Sequence, residues 1–411
     1  MIQPPEALAL LALLALAAPV GALSAAQDVT VLAELHSGAI EHREAPVTLE
    51  LRLGRELPAD LELDLDAGQA WSASVVGVSA SLEAQVDLVR DTDGQPHGLV
   101  VRWLEPFLPA EEMVRRAVTV VPADAAPADG TPRQGFRFRA AEGQLDLAFG
   151  DQPVWRDVTA WDPERYTETY KPFQHLFAPD APVLLTKGVG GTHSHHRGVF
   201  LGWGQTRAGE RTVNFWHMPP SESSQRLVGY DSMRRLAGPV AARSISTVRW
   251  YTKEGEALVE DQRDVTTWRV AEGWLLDYVI ELRSLAGEVQ LDGDPPHAGF
   301  QFRAAQSVAE NESCTYLRPK SAVDQGNDNW ADCAWVAGRF PIEGQRYEVA
   351  FFDHPDNPRP TVFNTRAYGR FGAFFRATLK EGEPLVVRYR LLVRGLPGGA
   401  GPELGEGTAG G

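Results

Sequence analysis

Alternation of apolar and polar residues at a period of two runs through most of this 411-residue chain and predicts an all-β protein. The expected arrangement is an immunoglobulin-like sandwich followed by a large antiparallel β-sandwich or barrel. Three observations carry that reading. Short alternating runs broken by turns fill 28–121. A segment rich in Pro, Ala and Asp interrupts them at 122–134. Longer alternating runs then occupy 135–394, with no helical periodicity of useful length.

The elements follow in chain order. Ala7 to Val20 is an apolar run of mostly Ala and Leu, followed by the small residues Ser24-Ala25-Ala26. This reads as an export signal over 1–26, too short and Ala-rich for a membrane span, and predicts a periplasmic or extracellular protein with no membrane insertion after cleavage. Val47-Thr48-Leu49-Glu50-Leu51-Arg52-Leu53 and His97-Gly98-Leu99-Val100-Val101-Arg102-Trp103 are strands with one wet and one buried face. The 122–134 segment reads as a linker. In the second unit, Leu145-Asp146-Leu147-Ala148-Phe149, Leu275 to Leu282 and Leu385 to Val393 are the clearest strands. The Gly-rich end, 395–411, lacks periodicity and is expected to be disordered.

A net charge of −16 argues against nucleic acid or an anionic membrane surface as partner. The two cysteines, Cys314 and Cys333, could close one disulfide in an exported chain or be two separate small core residues. Neither sits in a Cys-x-x-Cys pair, which argues against a cysteine-built zinc site.

Chemistry concentrates in Thr192-His193-Ser194-His195-His196-Arg197-Gly198. Three of the ten histidines of the chain fall here, and His217 follows in Asn214-Phe215-Trp216-His217. Imidazole is the side chain best suited to proton transfer or metal ligation near neutral pH. Were Thr192 to Leu201 a strand, His193 and His195 would share one face and His196 the other. A pair at i and i+2 can open a metal site, with His217, His297, Asp353 or His354 completing it. A cupin would show a Glu shortly after the pair; Arg197 stands there instead and favours an anionic or polyhydroxylated ligand. The glycines of Lys187-Gly188-Val189-Gly190-Gly191 lack the context of a phosphate loop. His297 opens a strand, and Asp353-His354 ends one before a stiff polar loop. Asn364-Thr365-Arg366-Ala367-Tyr368-Gly369-Arg370 adds further polar groups. His36, His42 and His97 are isolated. No Gly-x-Ser-x-Gly, His-Glu-x-x-His or dinucleotide fingerprint occurs.

The runs HHRGVFLGW (from His195), NFWH (from Asn214), GDPPHAGFQFR (from Gly293), WADCAWVAG (from Trp330), VAFFDHPDNPRP (from Val349) and YGRFGAFF (from Tyr368) occur in that order. Together they resemble a family of exported bacterial proteins labelled PmoA family or DUF6807, over roughly Leu145 to Arg394. The resemblance implies a β-rich domain similar to the galactose-mutarotase-like supersandwich. It implies a site, without a reaction, at His195, His196, Arg197, His217, Asp353 and His354. By the same resemblance, many relatives would carry Asp where this chain has Asn214.

The expected function is that of a carbohydrate-active protein, a lyase, epimerase or hydrolase. His195, His196, His297 and His354 are the candidate acid/base groups. Lys187, His193, Arg197, Trp203, Trp216, His217, Asp353 and Arg366 are the candidate substrate-binding groups, the tryptophans stacking on a sugar ring. The partner would be a small carbohydrate or a glycan. One alternative is a non-catalytic sugar-binding protein with a flat aromatic strip. Another is an oxidoreductase or hydrolase with a His-ligated divalent metal; no other cofactor is expected.

Overall fold

The computed structural model describes residues 16–19, 29–36, 42–57, 70–76, 81–91, 95–123, 134–219 and 222–397. Most of the proposed export signal, the linker residues 124–133 and the tail beyond 397 lie outside the described residues. Leu16–Pro19 forms a short strand that pairs antiparallel with Val29–His36. No helix among the described residues is long and apolar enough to cross a membrane.

Among the described residues the protein is all-β, as the alternation requires. The first part forms a five-stranded and a three-stranded antiparallel sheet. They close over a core of their own that includes Val31, Leu35, Val47, Leu49, Leu51, Leu99, Val101, Trp103 and Val118. The second part is a large antiparallel sandwich of a ten-stranded and a nine-stranded sheet, with a four-stranded sheet beside them. Its two large sheets meet face to face. The Phe300 ring stacks on Tyr389 at 4.7 Å, and Trp155 Nε1 donates to Thr267 Oγ1 at 3.0 Å.

The period-two rule decides what each strand contributes. In Gly273–Ser284, Leu276, Tyr278, Ile280 and Leu282 are buried in the core while Val279 is exposed and Glu281 partly so. In Ala298–Arg303, Phe300 and Phe302 enter the core, so Gln301 and Arg303 must face outward from the sandwich. That outward side is covered by loops, which is why Gln301 and Arg303 are nonetheless fully buried.

Cys314 and Cys333 are both buried and carry free thiols, so of the two readings of this pair the structure holds the separate core residues. Burial pushes each thiol up to about 12, which makes both poor nucleophiles.

Between the large sheets runs a polar seam. Gln174 Nε2 donates to Asp157 Oδ1 at 2.8 Å, Tyr230 OH donates to Oδ2 at 3.2 Å, and Tyr278 OH donates to Gln174 Oε1. Loss of hydration raises the Asp157 carboxyl to about 6, against the opposing pull of Gln174 and Arg263. A carboxyl raised on folding holds its proton more tightly in the native state, so stability falls as pH rises between about 4 and 6. Asp157→Asn should therefore remove that pH dependence. It should raise stability at pH 7 by on the order of 1–2 kcal/mol, as read by urea unfolding at pH 4.5 and pH 7; equal pH profiles in the two proteins would count against this account.

Candidate functional site

Five imidazoles gather above the outward face of the ten-stranded sheet. They line a cleft of about 300 Å³ with Asp294, Pro296, Asn327, Arg366, Tyr368 and Arg370.

The loop before strand Val199–Trp203 carries three of them. Thr192 to Gly198 is a turn rather than a strand, closed by the His196 N–H donating to His193 O at 2.9 Å. The turn, unlike a strand, brings all three rings to one place: His193 and His196 lie 5.3 Å apart, His195 and His196 4.1 Å. Its far end is tied down at Gly198, whose N–H donates to Lys187 O at 2.8 Å and whose carbonyl accepts the Arg303 N–H at 2.8 Å. Gly198 has φ +48°, and a Cβ there would lie 2.2 Å from Gln174 O, so no larger residue fits.

His217 comes from a second turn, capped by Asn214, whose Oδ1 accepts the N–H groups of Trp216 at 2.9 Å and His217 at 2.8 Å. His195 and His217 are 4.5 Å apart, and His217 and His297 5.2 Å. His297 closes a one-turn helix at Pro295–His297, and its Nδ1 lies 2.7 Å from Asp294 Oδ1. The carboxylate holds the proton on Nδ1 and leaves Nε2 as an acceptor. The five rings thus form a chain, His193, His196, His195, His217 and His297, rather than a ring around one point. Among the described residues no three His, Cys, Asp or Glu side chains are grouped to hold a metal ion.

The surroundings are cationic. Arg370 is fully buried; its guanidinium donates to Gln301 Oε1 at 3.0 Å, to Asn364 Oδ1 and to Tyr368 OH at 3.2 Å, all neutral groups. Buried Lys171 donates to Trp216 O at 3.0 Å and sits 4.3 Å from the Phe200 ring centroid. Burial first, then Lys171 and the neighbouring imidazoles, pull His195 down to about 2. Burial, Arg370 and His195 hold His196 far below its ordinary value. His193 and His217 are lowered too, chiefly by burial, then by Arg303 and by His297 respectively. Both His196 ring nitrogens and Trp216 Nε1 are buried without a hydrogen-bond partner.

The structure thus brings His193, His195, His196, His217, His297 and Arg366 to one cleft. It leaves six other sequence candidates outside the lining. Arg197 is spent on backbone, donating to Ser194 O at 3.0 Å, Glu168 O at 2.7 Å and Thr167 O at 2.5 Å over the Tyr170 ring. Lys187 caps Gly188 O and His196 O, both at 3.2 Å. Trp203 is fully buried and donates to Phe375 O, and Trp216 lies buried under the histidines, so neither can stack on a sugar. Asp353 and His354 end a strand of the nine-stranded sheet and organise their own loop. There Asp353 takes Asn357 Nδ2 at 2.7 Å and pairs with Arg359, while His354 Nδ1 accepts the Asp356 N–H at 3.1 Å.

The sequence singles out the run that holds Tyr368 and Arg370 but gives neither a role, and it assigns none to Asp294, Asn327 or Lys171. The signal for Asp294 was local, since it stands three residues before His297. Arg370 is placed here by strand register, facing Arg303 and Arg366.

A family model described as "Family of unknown function (DUF6807)" matches residues 144–395. The chain belongs to this family. The DUF6807 region contains all five cleft imidazoles, both arginines of the lining and nearly all of the large sandwich. Solved structures similar to the chain include a protein in the Glycosyl Hydrolase Family 38 from Enterococcus faecalis, at 10% identity and a TM-score of 0.40 over 90% of this chain and 44% of that one. An alpha-mannosidase from Enterococcus faecalis V583 is similar at 11% identity and a TM-score of 0.36, over 90% of this chain and 42% of that one. The chain spans less than half the length of either. No curated protein matches it.

The lowered imidazoles give a direct expectation. His195 should show no titration between pH 5 and 8 in the ring ¹H–¹³C NMR spectrum. A base depressed on folding makes the unfolded state the stronger proton binder, so stability is fully present above about pH 6.5. It is lost as pH falls, by about 1.4 kcal/mol per pH unit for each of His195 and His196. A His195 resonance that shifts with a midpoint near 6.5 would contradict the burial described.

Proposed function

We propose that this is an exported, carbohydrate-active enzyme, a lyase, epimerase or hydrolase, that works on a sugar or modified sugar by His-based general acid/base chemistry. The observation that carries the reading is the convergence of five imidazoles, one of them oriented by a carboxylate, in a cleft of about 300 Å³. Such a space suits a small polyhydroxylated ligand. Its lining offers hydrogen-bonding groups on every side.

Within this proposal His297 transfers the proton, because Asp294 fixes its ring with Nε2 free. His195 and His196, held neutral, serve as hydrogen-bond partners to substrate hydroxyls. Arg366, Arg370 and Tyr368 position the substrate. The cleft favours this over the flat binding strip, since Trp203 and Trp216 are both buried. Export to the periplasm or beyond belongs to the same proposal. So does the PmoA kinship suggested by the sequence.

The test is incubation of the purified protein with neutral and acidic mono- and oligosaccharides, followed by NMR of the sugar signals. On the substrate found, His297→Ala should lower kcat by 10²–10⁴-fold and Asp294→Asn by a smaller factor, each with an unchanged melting temperature. Binding of a sugar with no turnover of any of them would replace the enzyme reading by the binding-protein one.

A further inference from the structure

We infer that a row of three arginines across the sheet beneath the cleft is a receptor for the carboxylate of an acidic sugar of the hexuronate type. The inference rests on the carbohydrate reading above and narrows its substrate class.

The row follows from strand register. Arg303 in Ala298–Arg303 faces Arg370 in Arg370–Phe374, and Arg370 faces Arg366 in Val362–Arg366. Three guanidinium-bearing residues thus stand side by side on three adjacent strands, on the outward face. Like charges directly opposite one another on neighbouring strands are destabilising, and burial makes this worse.

The rest of the molecule shows how it ordinarily treats such positions. Arg249 faces Glu260, Arg390 faces Asp277, Arg156 faces Asp146, and both Arg339 and Arg394 face Glu348, each within salt-bridge distance. A second facing pair, Arg226 and Arg249, lies at the partly exposed edge of its sheet, and Arg249 has Glu260 on its other side. The two buried members of the cleft row, Arg303 and Arg370, have no such relief. Arg303 and Arg370 contact only neutral groups, and the carboxylate near Arg366 is that of mostly exposed Asp328, at 3.4 Å.

Unused donors point the same way. Arg303 Nε and Nη2 are buried without partners, as are both nitrogens of His196, which lines the cleft. Tyr368 OH accepts from Arg370 Nε, which leaves its own proton for a ligand oxygen. A planar carboxylate is the anion whose two oxygens match the fork of an arginine. Delivered on a sugar ring, it would leave the ring hydroxyls to the imidazoles.

Isothermal titration calorimetry on the full chain tests this with D-galacturonate and D-glucuronate, against D-galactose, D-glucose and sodium sulfate as probes. Arg366→Gln, at the partly exposed end of the row, is the first variant. Arg366→Lys, which keeps the charge, is the second. The expected result is binding of a hexuronate at least tenfold tighter than its neutral sugar, weakened by salt. Arg366→Gln should reduce it about tenfold or more, and Arg366→Lys by less. Equal binding of galactose and galacturonate would overturn the inference and leave the carbohydrate reading standing. Binding of sulfate with no sugar bound would overturn the carbohydrate reading and, with it, the hexuronate. Hexuronate binding that is untouched by Arg366→Gln in a protein with unchanged melting temperature would overturn the role of the row.

Discussion

The strand Ala298–Arg303 imposes the constraint on which the site depends. Successive side chains must alternate sides, so the demand that Phe300 and Phe302 fill the sandwich core forces Gln301 and Arg303 to the other face. The same demand at Phe371 and Ala373 sends Arg370 outward, and at Phe363 and Thr365 it sends Asn364 and Arg366 outward. A slip of one residue in any of these pairings would place arginines among phenylalanines. The chemistry of the cleft is therefore held by the hydrophobic core: losing Phe300, worth roughly 3–5 kcal/mol on truncation, would disturb the arginine register with it.

Electrostatics gives the cleft a character opposite to that of the whole chain. The protein carries a net charge of −16, yet Lys171, Arg303, Arg366 and Arg370 collect around five imidazoles. Burial and this cationic company keep the lowered histidines uncharged. A low-dielectric pocket with fixed donors strengthens each interaction it makes with an anion, and an acidic exterior does not compete for one. Neutral imidazoles can also both donate and accept, which charged ones cannot.

The all-β class, the two successive sandwiches and the His-rich centre were legible from alternation and from residue clustering alone. What was not legible was long-range. His354 and His297 look alike in sequence, each with a proline next to it and an Asp within three residues, but one follows a strand of the nine-stranded sheet and the other precedes a strand of the ten-stranded one. Arg197 stood next to the histidines and was read as a ligand group. The turn that gathers those histidines points it instead at three backbone carbonyls. Tryptophans near a site suggest stacking platforms; here period two and the covering loops bury them. The arginine row could not be read at all, because its members lie far apart in the chain and meet only through strand pairing.

Asn214 shows how an amide in place of a carboxylate keeps geometry and changes chemistry. An aspartate there would cap the same turn with one oxygen and accept a proton from His217 with the other. Asparagine keeps the cap, since Oδ1 already takes the two backbone N–H groups. Its remaining group, Nδ2, lies 3.3 Å from His217 Nδ1 and can only donate. His217 Nδ1 must then accept, and its proton resides on Nε2. His297 has the reverse arrangement, with its Nδ1 proton held by Asp294. Two neighbouring imidazoles are thereby fixed in opposite tautomers, one presenting a donor and the other an acceptor. The proposed acid/base chemistry draws on that asymmetry, with one atom to take a proton and another to donate a hydrogen bond.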